Sequence, residues 1–270
     1  MPCPTGGSWG GFTGGSILFE VATDLALLLV LAAFCAGFID SIAGGGALIA
    51  LPALLLAGAS PVEALATSKL QGSFGAGTAM LTYARAGHVR PRDQLGMAAI
   101  SGVAGAAGAT VAHLMPAEVL RIIMPVVLIG VAVFFALKPG LSDDARAERI
   151  KPAVFAVTAV PAIAAYDGFF GPGTGSFFMM SFVLLAGYGV LKATAHTKML
   201  NFASNIGSLL VFISSGTVWW AVGLAMAAAQ VAGASLGARL AMRVGAGLIK
   251  PLLVVTSTAM ALRLFWQAYS

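Results

Sequence analysis

Apolar residues run through this chain in stretches longer than a globular helix needs, and short polar segments separate them. The stretches are 25–57, 63–84, 95–114 and 119–137, then 152–187, 193–213, 219–239 and 248–266. About 20 residues of helix cross a hydrocarbon core of roughly 30 Å, so six of these stretches predict ordinary transmembrane helices. The other two do not fit that length. Residues 25–57 as one helix would run to about 50 Å, and Gly44, Gly45 and Gly46 interrupt them. The piece beyond the glycines, 47–57, is too short to span alone. The block therefore predicts a broken, hairpin-like element that enters the membrane and returns. Residues 152–187 repeat the plan, with the break at Gly173, Thr174 and Gly175.

Sliding one half over the other by 129 residues aligns more than the breaks. Gly44 meets Gly173, Gly46 meets Gly175, and Leu55-Leu56-Ala57-Gly58 meets Leu184-Leu185-Ala186-Gly187. Lys69 meets Lys198, and Gly87 meets Gly216. The reading is an all-α polytopic membrane protein built from two repeats, each a broken re-entrant-like hairpin plus three transmembrane helices. The domains are an N-terminal tail (1–24), a first repeat (25–137), a hydrophilic linker (138–151) and a second repeat (152–270).

Composition agrees, and charge adds a direction. The chain is 59% hydrophobic and 9% charged, against about a quarter charged in soluble domains. Its net charge of +5 resides in short loops between apolar stretches, which is not a nucleic-acid footprint. If each broken block returns to its own side, the basic segments 85–93, 138–151 and 239–250 all lie in the cytoplasm. If the blocks cross, 239–250 falls outside. The positive-inside rule thus favours inverted repeats. Cys3 and Cys35 are too few and too differently placed for a disulfide framework.

Chemistry concentrates at the breaks and on two spans. Lys69 and Lys198 lie about two turns into their spans, where an ionisable residue points to function, although a lysine can also snorkel to the interface. Helical spacing puts Lys198, Asn201, Asn205 and Ser208 on one face. Short helices starting after Gly46 and Gly175 would aim N–H groups and a partial positive charge at the bilayer middle. Two such ends and two lysines describe a site for a small anion. Its candidate binding residues are Lys69, Lys198, Asn201, Asn205, Ser41, Gly44, Gly45, Gly46, Gly173, Thr174 and Gly175. Asp40 and Asp167 either cap helix ends, pair with a lysine, or join His196 as groups coupling transport to a proton. Coupling to sodium stays open, as does a homo-oligomer. Gly233-Ala234-Ser235-Leu236-Gly237 matches a hydrolase elbow, but inside a span it reads as small-residue helix packing. With no metal-ligand spacing, phosphate loop or nucleophile–base pair, neither a metal, a cofactor nor an enzyme is expected.

The segments G-F-I-D-S-I-A-G-G-G at 37–46 and A-T-S-K-L at 66–70 carry a resemblance, as do D-G-F-F-G-P-G-T-G at 167–175 and H-T-K-M-L-N-F-A-S-N at 196–205. They resemble the TauE/SafE family of sulfite and organosulfonate exporter-like permeases of bacterial membranes. The resemblance implies a transporter of the inner membrane that exports sulfite, sulfoacetate or a related sulfonate. Uptake, or a channel for another small anion, is the alternative.

Overall fold

A computed structural model describes residues 23–137 and 148–245. Parts of the expected tail and linker, and the last expected span (248–266), fall outside those residues. Among the described residues the chain is helical, with no strand. The helices are α1 (Thr23–Ala43), α2 (Ala47–Leu56), α3 (Pro61–Arg85), α4 (Leu95–Leu114) and α5 (Ala117–Leu137). They continue as α6 (Pro152–Val157), α7 (Ala159–Phe169), α8 (Thr174–Leu184), α9 (Val190–Ser214) and α10 (Trp220–Val244).

Both long apolar blocks are broken where the glycines predict. Gly44 takes φ +81° and Gly173 +78°, a left-handed backbone in which a side chain would be strained. The 10-residue α2 and 11-residue α8 beyond these breaks reach only about 15 Å, half a bilayer. After its break the chain doubles back, because a Cβ on Gly46 would lie 2.7 Å from the Ala36 carbonyl oxygen and 2.8 Å from Asp40 Cβ. The second block carries one further break, at Thr158 between α6 and α7. Pro161 has no N–H for the Val157 carbonyl, and the Thr158 hydroxyl donates back to Val154 O at 2.6 Å.

The 129-residue match extends to the turns. Gly58 and Gly187 take φ +96° and +72°, and Gly87 and Gly216 take +80° and +69°. α3 begins with a capping box, in which Ser60 Oγ accepts from Glu63 N–H at 3.4 Å and Glu63 Oε2 accepts from Ser60 N–H at 2.8 Å. α9 starts at the equivalent place behind Gly189 without a side-chain cap.

Packing between the halves is reciprocal. α1 lies on α10 as α7 lies on α4, α3 lies on α10 as α9 lies on α4, and α3 meets α9 in the centre. Small residues make these crossings close. Gly233 and Gly237 face α1 at Phe34 and Phe38, while Gly108 and Gly168 face each other's helices across α4 and α7. The Gly233–Gly237 motif is therefore helix packing, as its place in a span implied. Hydroxyls bridge the same contacts, with Ser101 Oγ donating to Leu200 O at 2.7 Å and Ser208 Oγ to Gly105 O at 3.1 Å.

Among the described residues, four segments are long and apolar enough to cross a membrane: Leu25–Ala43, Pro91–Leu114, Pro152–Phe169 and Trp220–Val244. At 25 residues each, α3 and α9 have the length too, and the polar residues in their middles, Lys69 to Ser73 and Lys198 to Ser208, are buried. Large apolar side chains are exposed on the outside instead, including Leu31, Leu81, Val103, Leu210 and Leu236. In water such a surface would be costly, whereas against lipid it is the expected one.

Candidate functional site

The two glycine breaks touch. A Cβ on Gly44 would lie 2.5 Å from the carbonyl carbon of Gly175, so only a residue without a side chain fits there. Ser176 Oγ at the start of α8 donates to Ala43 O at the end of α1, at 2.8 Å. Tyrosines brace each break from outside. Tyr83 donates to Ser41 O at 2.9 Å and Tyr166 to Pro172 O at 2.7 Å. The N-terminal ends of α2 and α8 are thereby held together in the middle of the molecule.

Each half then sends its lysine to the other half's aspartate. Lys69 Nζ on α3 lies 2.9 Å from Asp167 Oδ1 on α7, and both side chains are almost wholly buried. Lys198 Nζ on α9 lies 3.3 Å from Asp40 Oδ2 on α1 and also donates to the Asp40 carbonyl oxygen. Neither lysine snorkels to an interface. The remaining carboxylate oxygens are also occupied. Asp40 Oδ1 accepts from Gly46 N–H at 3.2 Å, just before α2, and Asp167 Oδ2 accepts from the Ser204 hydroxyl at 2.6 Å. Asp40 thus both caps a helix end and pairs with a lysine. The carboxylates stand where the sequence pattern placed an external anion.

A cavity of about 30 Å³ lies beside these groups, room for a water or two. It brings together Lys69, Asn201, Asn205, Gly45, Gly46, Gly175, Asp40 and Asp167 from the expected set. Gly72 on α3 faces Asn205, and a Cβ there would meet Asn205 Oδ1 at 3.5 Å, an ordinary contact distance. Asn205 Nδ2 in turn donates weakly to Asn201 Oδ1 at 3.4 Å. Lys198 is not in the lining and reaches the cavity only through Asp40. Ser41, Gly44, Gly173 and Thr174 are also outside it. Ser41 Oγ bonds Phe38 O at 2.8 Å and Thr174 Oγ1 bonds Gly171 O at 2.8 Å, so their hydroxyls serve the local turns. His196 lies elsewhere, in an aromatic cluster with Phe182 and Tyr188 at ring distances of 5.7 and 4.9 Å.

A family model described as "Sulfite exporter TauE/SafE" matches residues 29–264, across both breaks and both lysines. The chain belongs to the TauE/SafE family. A "Probable membrane transporter protein ORF9" of Sinorhizobium sp is 54% identical over 91% of this chain and 94% of that relative. The "Probable membrane transporter protein YfcA" of Escherichia coli K12 is 43% identical over 93% and 94%. A "Probable membrane transporter protein" of Haemophilus influenzae is 36% identical over 92% and 97%. No solved structure is significantly similar to the chain. The names and the apolar helices together make it a multi-pass membrane transporter.

In this TauE/SafE transporter the cavity includes side chains that sequence reasoning passed over. Gln230 reaches it from α10, is 4% exposed, and its Oε1 has no hydrogen-bond partner. Gly37 and Gly75 form the slot for its stem: a Cβ on either would lie 2.6 and 2.9 Å from Gln230 Cγ. Its signal was present, as the one amide in the span Trp220–Val244. Ser68 and Gly171 line the cavity too, and a Cβ on Gly171 would come within 3.1 Å of Lys69 Nζ.

Proposed function

We propose that this TauE/SafE protein exports a small sulfur-containing anion, sulfite or an organosulfonate such as sulfoacetate, across the bacterial inner membrane by alternating access. The observation that carries the reading is the exchange of Lys–Asp pairs between the halves beside the joined N-termini of α2 and α8. Contacts of that kind couple two bodies through one central site. Rocking one repeat against the other would open the site to alternate sides while its ligands stay near the midplane. Lys69, Asn201, Asn205 and Gln230 offer one charge and three amides, donors suited to several oxygens on one compact anion. A cavity of about 30 Å³ favours a gated site over an open channel. The inverted orientation of the repeats is part of this proposal and rests on the placement of basic residues.

The test is flux in proteoliposomes containing the purified full chain, with labelled sulfite, sulfoacetate and sulfate. Transport of at least one sulfur anion is expected, with loss in Lys69→Met. Passage of none of them, alongside passage of another small anion, would replace the substrate assignment.

A further inference from the structure

The charges beside the cavity already cancel. Lys69 and Lys198 contribute two positive charges and Asp40 and Asp167 two negative ones, all within the protein interior. An anion entering this site adds an uncompensated buried charge, which the low-dielectric interior disfavours even after relaxation. It also finds the one lysine in the lining already bound, at 2.9 Å, to a carboxylate. Binding therefore needs a positive charge to arrive and a carboxylate to let go.

The two pairs are not equally free to do this. Lys198 is tied to both the main-chain carbonyl and the carboxylate of Asp40, at the C-terminal end of α1 where a cation is favoured. Asp40 in turn holds the Gly46 N–H before α2. Lys69 holds only the Asp167 carboxylate among the described polar groups, and its Nζ faces the cavity beside Gly171. Asp167 has Ser204 as its other partner, a hydroxyl that can donate to a carboxylate or accept from a carboxylic acid.

We propose that the Lys69–Asp167 pair exchanges its carboxylate for the substrate anion, so that each anion bound brings one proton onto Asp167. The inference rests on the reading of this cavity as the anion site. The proton forms an O–H bond on the Asp167 carboxyl, a monoanion takes the vacated place on Lys69, and the site stays neutral. Few other groups can take that proton. α4 meets α7 through Gly105, Gly108 and Ala109, and α6 and α8 carry no ionisable side chain. From α9 the ionisable side chains are Lys192 at its exposed start, His196 in its aromatic cluster and Lys198 on Asp40. Asp40 acts on Lys69 from α1, and Tyr166 beside Asp167 donates its hydroxyl to Pro172 O.

The experiment counts protons taken up as the purified full chain binds anions, by calorimetry in buffers of different ionisation enthalpy. Methanesulfonate is the main probe, because it is a monoanion whose sulfonate group takes up no proton near neutral pH. Nitrate and chloride complete the panel. One proton per anion is expected, with affinity falling about tenfold per pH unit on the alkaline side. Asp167→Asn is expected to bind without proton uptake and without that slope, whereas His196→Gln, outside the cavity, keeps both. Binding to the parent with no proton uptake overturns the proposal, as does uptake that survives Asp167→Asn. The count on the parent decides the coupling even where a variant does not fold. If only nitrate or chloride binds, the sulfonate reading fails while the proton count still tests the exchange. Binding of none of them overturns both.

Discussion

Removing Lys69 alone should destabilise the protein more than removing Lys69 and the charge of Asp167 together. In Lys69→Met the Asp167 carboxylate stays nearly wholly buried, with the Ser204 hydroxyl at 2.6 Å as its remaining partner. Breaking a buried ion pair from one side costs about 3–5 kcal/mol, because the leftover charge has lost its compensation. In Lys69→Met/Asp167→Asn no charge is left, and an amide can still accept from Ser204. Replacing both partners of a buried pair is often neutral, so the double variant should lie within about 1 kcal/mol of the parent. The cycle would then yield a coupling energy above roughly 2 kcal/mol. Lys198→Met should cost less, since Asp40 is 16% exposed at its side chain and keeps the Gly46 N–H. The assay is SDS-induced unfolding in detergent micelles, monitored by circular dichroism, with anion binding measured in parallel. Binding should be lost in both Lys69 variants whatever their stability. A Lys69→Met protein as stable as the parent, or a double variant no better than the single, would refute the reasoning.

The same geometry sets other outcomes. Gly75→Ala should fold but weaken anion binding about tenfold, because its Cβ would press on the Gln230 amide from 2.9 Å; a binding titration beside Gly96→Ala, whose Cβ meets open space, checks this. Gly58→Ala and Gly87→Ala should each lose about 1 kcal/mol through their positive φ alone and transport normally, since nothing crowds them. Gly44→Ala adds a clash with the Gly175 backbone to the same strain, so its flux in proteoliposomes should collapse. In a background with both native cysteines changed to serine, cysteines at Ser215 and Gly245 should label from opposite sides of intact cells. The 25-residue α10 between them is long enough to separate the two faces, and labelling from one side only would reject the layout.

The sequence carried the helices and their breaks because both arise from local chemistry. Long apolar runs must be helical in lipid, and glycines repeated 129 residues apart mark where the backbone must turn left-handed. The lysines were legible for a related reason, since a charge two turns into a span needs a partner. Which partner is a tertiary fact. Nothing in the spacing of Lys69 or Lys198 says that each reaches across to the opposite half, and the sequence pattern grouped Asn201 and Asn205 with Lys198 because they share its face. In the fold those amides line a cavity with Lys69, while Lys198 is drawn behind Asp40. A helical face is wide enough for three residues on it to meet different neighbours.

The aspartates change what kind of site this is. The expected site was positive, built from helix N-termini and lysines, with the carboxylates as an awkward addition. Once Asp40 and Asp167 are seen taking a lysine each, together with Gly46 N–H and the Ser204 hydroxyl, they cease to be awkward. They offset both lysine charges and keep the interior neutral. A transporter needs its empty state to be stable enough to return across the membrane, and a site with two bare buried lysines would resist that return by the cost of their unpaired charge. Internal carboxylates remove the obstacle, and they set a condition on any anion that replaces them: it must displace a carboxylate from a lysine and bring charge compensation with it. In the proposed anion site, specificity would then fall to the uncharged groups around the cavity, Asn201, Asn205 and Gln230, whose amides can match the number and direction of an anion's oxygens.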